Sequence, residues 1–200
     1  MHKTANPDSI KALLKDLYER ALAPALPRNA IHGLKWPEVP GRTYVLSAGK
    51  AATQMVAAVQ DRLPKNAEGL IVTRRGYVHS GFAADNIRIV EAAHPVPDAA
   101  GAGAAQMALE AADGLGQDDL LLVLMSGGAS ALLPAPAKGI SLAEKQEITR
   151  TLLRSGAPIS EMNIVRKHLS AIKGGHLAAR AWPAATHMIA ISDSPGDDIA

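Results

Sequence analysis

Five short runs of almost wholly apolar residues punctuate the chain: "TYVLSAG" at 43–49, "GLIVT" at 69–73, "IRIVEA" at 87–92, "DLLLVLM" at 119–125 and "HMIAIS" at 187–192. A strand with one wet face alternates apolar and polar residues, and these runs mostly do not. Strands apolar on both sides need cover on both sides. The stretches between most of them carry helical periodicity, which supplies the crossovers that parallel pairing requires. The expected fold is therefore α/β: a doubly wound, mostly parallel sheet with helices on both faces, Rossmann-like. Hydrophobic residues make up 48% of the chain but aromatic ones only 3%. Such a core is built from Leu, Ile, Val and Ala in close layers.

Local signals place the helices. Asn6-Pro7 reads as an N-cap followed by proline at the first helical position, with Ile10, Leu13, Leu14, Leu17 and Tyr18 at helical period behind it. Met55, Val56, Val59 and Leu63 share one side of a helix after the first strand. Asp98 is placed to cap an Ala/Gly-rich helix over about 99–113, and Ser141 with Glu144 forms a capping box. A further helix is expected from Ser160, with Ile164, Val165, Leu169 and Ile172 facing the core and Lys173-Gly174-Gly175 as its stop.

Bulk properties exclude several classes. A formal net charge of +2 and few aromatics argue against nucleic-acid binding. The absence of cysteine removes disulfides and thiolate metal sites, which fits the cytoplasm. The longest apolar run, Leu120–Met125, is too short to cross a bilayer, and charged residues interrupt the N-terminus where a signal peptide would be apolar. Residues 1–200 read as one domain. The chain stops eight residues after the fifth run, inside the acidic turn "DSPGDDIA", so it is expected to be part of a longer protein.

Open parallel sheets bind ligands beyond the carboxyl ends of their strands. Small and polar residues collect at those ends: Ser47 to Lys50, His94 to Asp98, Ser126 to Ser130, and Ser192 to Asp198. The Ser126-Gly127-Gly128-Ala129-Ser130 loop offers N–H groups and two hydroxyls without bulky side chains. A helix starting there would add its N-terminal dipole, a combination suited to phosphate or carboxylate. A packing turn of small residues is the alternative. Lys50, after Gly49, stands at a strand-to-helix junction where a cation gains from a bound anion. Asn163, Arg166, Ser170 and Lys173 are spaced to share one helix face, which reads either as an anion-holding face or as a solvated one. Asp193, Asp197 and Asp198 suit magnesium or a capped turn. His94 either touches an acidic substrate or bonds to backbone, while His79, His168 and His176 lack metal-ligand spacing. Neither G-x-x-x-x-G-K-[ST] nor a G-x-G-x-x-G after the first strand occurs, so a nicotinamide cofactor has little support.

The segments "SAGKAA", "HPVPDAAG", "SGGASALLPAPAKGISLAEKQEITRTLLRSGAPISEMNIVRKHLSAIKGGHLA" and "SDSPGDD" together resemble the glycerate 2-kinase family of the MOFRL-associated type, also named hydroxypyruvate reductase. The likeness runs from about residue 8 onward. It implies the N-terminal domain of a two-domain enzyme whose site lies in the cleft between domains, the C-terminal domain being absent here. It implies ATP-dependent phosphorylation of D-glycerate on its 2-hydroxyl, giving 2-phosphoglycerate and ADP, with Mg2+. The family lysine falls on Lys50 and the glycine-rich loop on Ser126–Leu132, with Ala129 in place of its third glycine. On that basis Lys50 and Asp193 are the expected catalytic residues. Gly49, Ser126, Gly127, Gly128, Ala129, Ser130, Asn163, Arg166 and Lys173 are expected to bind nucleotide or substrate, and Asp193 and Asp197 the metal. An NAD(P)H-dependent reductase and a non-catalytic sugar-acid-binding module are the rival expectations, and the assembly left open includes a homodimer.

Overall fold

The computed structural model describes residues 6–192. Its centre is a five-stranded, all-parallel sheet in the order β3-β2-β1-β4-β5. The strands are β1 (Thr43–Ala48), β2 (Glu68–Arg74), β3 (Ile87–Ala92), β4 (Leu120–Met125) and β5 (Ala185–Ala190). The chain winds outward from β1 to β3, then crosses back to lay β4 against the other side of β1. The strand order reverses between β1 and β4, and a crevice opens beyond their carboxyl ends. In register, Ala48 of β1 lies beside Met125 of β4, so the tips of the two strands finish level.

The helices are α1 (Pro7–Leu22), α2 (Pro27–Ala30), α3 (Ala52–Val59), α4 (Ala99–Asp113), α5 (Ala129–Leu132), α6 (Leu142–Arg154), α7 (Ile159–His168) and α8 (His176–Ala181). One sheet face is covered by α3 and by Ile31 at the end of α2, with Met55, Val56 and Val59 fully buried against Val45, Ile71, Leu122 and Leu124. The other is covered by α4, α5 and α8, where Ala104, Ala105, Ala108 and Ala112 let α4 approach the strands closely. This small-residue layer explains how so few aromatics suffice for a dry core.

The expected caps are present. Asn6 accepts from the Asp8 N–H, Asp98 from the Gly101 N–H, and Ser141 and Glu144 complete their box. Asp119 binds the roots of the two central strands together. Its carboxylate accepts from the N–H groups of Gly116 and Arg42 and from the Arg42 guanidinium.

Two expectations are corrected. The helix begun near Ser160 ends at His168 and does not reach Lys173. Beyond it, Ala137 N–H donates to Leu169 O and Ala171 N–H to Ala135 O, so residues 169–171 pair as a short ladder with 135–137. The 135–137 backbone needs those partners, and supplying them unwinds the helix. Ile164 and Val165 are accordingly exposed, while Ile172 is buried. Gly174 and Gly175 have positive φ, but they turn the chain into α8 and do not end α7. The helix expected behind Asn6-Pro7 is present as α1, and it buries no residue: Ile10, Leu13, Leu14, Leu17 and Tyr18 are all exposed. No helix among the described residues is long and apolar enough to cross a membrane.

Candidate active site

The tips of β1 and β4 are joined by a dense set of bonds that only small residues allow. Ser126 N–H donates to Ala48 O (2.9 Å), Lys50 N–H to Gly127 O (3.0 Å), and Ala51 N–H to Ser126 Oγ (3.1 Å). From β2, the Thr73 hydroxyl donates to Gly49 O (3.0 Å). Gly49 is buried at φ +130°, and a Cβ there would stand 2.1 Å from Ser126 Oγ. Glycine is thus demanded twice, by backbone conformation and by the approach of the neighbouring strand.

These bonds refine the expected ligand set. Ser126 is buried and its hydroxyl caps Ala51, so it shapes the turn instead of facing the crevice as a free group. Gly49 likewise spends its N–H on Val72 O and its carbonyl on Thr73. The N–H groups of Gly127, Gly128 and Ser130 have no carbonyl partner among the described residues, Gly127 and Gly128 are half-buried, and Ser130 is exposed. The positive φ falls on Gly128 (+93°), whereas Ala129 is the first residue of α5 and carries its methyl without strain. This accounts for alanine where a third glycine was expected. Because α5 spans only four residues, its dipole contributes little.

Lys50 and His94 flank Gly128. A Cβ on Gly128 would lie 3.6 Å from Lys50 Cε and 3.1 Å from the His94 ring, so the ammonium arm passes over the bare loop. Partial burial lowers the His94 pKa, and Lys50, Arg74 and Arg166 push it further the same way, leaving a neutral imidazole at neutral pH. Histidine at this position therefore adds a donor and an acceptor without adding charge.

On the other side of the loop, an open cleft of about 890 Å³ runs along β4 and β5. Ser130, Asn163, Arg166 and Lys173 line its polar end, and Val123, Met188 and other apolar residues its floor. Asn163 and Arg166 come from α7, where Arg166 reaches Asn163 Oδ1 at 3.5 Å. Lys173 comes from the turn before α8 and donates to Leu133 O (3.2 Å). Of the four residues expected to share one helix face, Asn163, Arg166 and Lys173 converge on the cleft from two elements, whereas Ser170 is buried and its hydroxyl accepts from the Ile172 and Lys173 N–H groups. Burial, then Lys145 and Arg166, lower the Lys173 pKa to about 7.

Lys145 was not expected. It lies at the end of the first turn of α6, directly after Glu144, is 6% exposed, and donates to Leu169 O (2.5 Å). A lysine in a helix with polar neighbours carries no sequence signal of burial. Asp193, Asp197 and Asp198 lie outside the described residues, and no cluster of three His, Asp or Glu suited to a metal occurs among the described residues. The described part of the site offers ammonium, guanidinium, imidazole and N–H groups. That donor set fits the oxygens of an anion and does not fit a magnesium ion.

Comparison with known proteins identifies the family. Residues 13–200 match the family model described as "Domain of unknown function (DUF4147)". An Agrobacterium vitis protein provisionally named hydroxypyruvate reductase is 47% identical over 197 residues, which are 98% of this chain and 44% of that protein. The D-glycerate 2-kinase of Thermotoga maritima is 38% identical over 193 residues, 96% of this chain and 46% of that one. A crystal structure of glycerate kinase from Thermotoga maritima superposes with a TM-score of 0.81 at 37% identity, covering 96% of this chain and 46% of the other. The chain thus spans less than half the length of these relatives. It belongs to the DUF4147 family, the family of the glycerate 2-kinases it resembles.

Proposed function

We propose that the protein carrying this domain phosphorylates D-glycerate on its 2-hydroxyl from ATP, giving 2-phosphoglycerate and ADP. The observation that carries the reading is the set of N–H groups of Gly127, Gly128 and Ser130, without a carbonyl partner among the described residues, beside the Lys50 arm where the strand order reverses. Phosphoryl transfer asks a protein mainly to position two anions and to meet charge on the moving group. As the 2-hydroxyl oxygen forms its bond to the γ-phosphorus, the bond from that phosphorus to the β-phosphate oxygen breaks, ADP leaves, and the hydroxyl proton is released to solvent. Lys50 meets a transferring or bridging oxygen, the loop N–H groups cradle a phosphate or the glycerate carboxylate, and Arg166 with Lys173 holds the other anion. Asp193 is the proposed group to orient the substrate hydroxyl. Asp193 and Asp197 are proposed to hold Mg2+, which would offset phosphate charge. A second domain closing the cleft belongs to the same proposal.

The name of the Agrobacterium relative keeps reduction of hydroxypyruvate as a second reading. Two reactions separate them: the whole protein with ATP and D-glycerate, and with NADH or NADPH and hydroxypyruvate. We expect phosphoglycerate in the first and no oxidation of cofactor in the second. The reverse result would replace the kinase by the reductase. In the whole protein, Lys50→Ala with unchanged folding should lower kcat by about 100-fold or more, as loss of a charge-stabilising group does. Near-normal turnover would remove Lys50 from the mechanism.

A further inference from the structure

Three cations meet beside the Ser126–Ser130 loop from three elements: Lys145 from α6, Arg166 from α7 and Lys173 from the turn before α8. Together with Ser130 they line a small notch of about 20 Å³, and Ser130, Arg166 and Lys173 also line the open cleft. None of the three forms an ion pair with a carboxylate among the described residues; the ion pairs present all lie elsewhere.

Each lysine is bonded to one carbonyl, Lys145 to Leu169 O and Lys173 to Leu133 O. An ammonium has three donors, so both keep donors to spend. Burying unpaired like charges together is costly. Burial lowers the pKa of all three, Arg166 lowers that of Lys145 further, and both neighbours lower that of Lys173. A fold that gathers three cations in one place, with no counter-charge among the described residues, has an energetic rationale if an anion completes it.

We propose that Lys145, Arg166 and Lys173 form one oxyanion subsite, opening at Ser130 into the cleft and built for a phosphate group. Three positive charges with free donors match a dianion with several acceptor oxygens better than a single carboxylate. Lys145 is thereby a binding residue. In assigning the guest to a nucleotide or phosphorylated product, the proposal rests on the kinase reading; the anion site itself does not.

The test is calorimetric titration of the protein with inorganic phosphate, with melting temperature followed in parallel. Wild-type protein should bind phosphate and melt higher in its presence. Lys145→Met and Arg166→Gln should each weaken binding by at least tenfold and abolish the phosphate-dependent rise in Tm. Lys145→Arg should retain binding, and Lys11→Met on α1 should behave as wild type. D-glycerate should not displace phosphate. Displacement by ADP would assign the subsite to the nucleotide, and displacement by 2-phosphoglycerate alone to the product. Should Lys145→Met fail to fold, Arg166→Gln decides. Phosphate binding indifferent to both variants, or absent from the wild type, would overturn the subsite while leaving turnover by the whole protein as a separate matter. Phosphate binding at these residues without any turnover would uphold the subsite and sink the kinase reading.

Discussion

At the scale of single residues, the site depends on side chains that are absent. Gly49 is where this matters most, since a methyl group there meets both a forbidding φ of +130° and Ser126 Oγ at 2.1 Å. Gly49→Ala should destabilise the fold by about 3 kcal/mol, the sum of backbone strain and a forced shift of the β4 tip. Gly103→Ala is the matched control. It lies on α4 with nothing within 4 Å of the added carbon, and it should stabilise by about 0.5–1 kcal/mol. Chemical denaturation of both variants checks the pair, and equal effects would remove the special standing of the β1 tip. The glycines were legible in the sequence as small residues after an apolar run. Their division of labour was not. Sequence marks the Ser126–Ser130 loop as permissive, but only the packing shows that Gly128 takes the positive φ, that Ser126 is consumed as a cap, and that Ala129 is harmless. Lys145 was illegible for a related reason: burial of a long polar side chain depends on which neighbours fold over it.

At the scale of elements, strands and caps were the most readable because their signals are local. The five apolar runs became five strands, with the last placed two residues earlier than its apolar run suggested, at Ala185–Ala190. The failures came where tertiary partners competed with local periodicity. Leu169 and Ala171 continue a helical pattern in sequence but are claimed by the 135–137 backbone. The α1 pattern is amphipathic, yet none of its residues is buried. Between elements, Asp119 is the tie with the clearest pH signature. The N–H groups of Gly116 and Arg42, and then the Arg42 guanidinium, hold its carboxyl below the usual aspartate range. A depressed folded pKa gives stability that is present above the unfolded value of about 3.9 and is lost as pH falls through the folded value. Asp119→Ala should cost about 1–3 kcal/mol at pH 7 by leaving those donors unpaired. It should also flatten the acid limb of a stability–pH curve below about pH 4. An acid limb as steep as the wild type's would mean that another carboxylate governs acid unfolding.

At the scale of the whole molecule, the doubly wound order does the organising. Because β4 returns to the side of β1 opposite β2, the loops after both strands face one crevice, and the α6–α7 excursion after α5 brings Lys145 and Arg166 to its flank. The resulting arc of cations, Lys50 and Arg74 near His94 and then Arg166, Lys173 and Lys145, encloses main-chain donors and has no carboxylate partner among the described residues. The central claim is that this crevice receives an anion on bare amides. Its most direct measurement is the change in backbone amide chemical shifts as ATP, and separately D-glycerate, is added to the protein. The account predicts that the amides of Gly127, Gly128 and Ser130 shift most for at least one of the two ligands. It also predicts that Lys50→Ala reduces those shifts. Saturating shifts confined to other parts of the chain, with Gly127, Gly128 and Ser130 unmoved by either ligand, would contradict it.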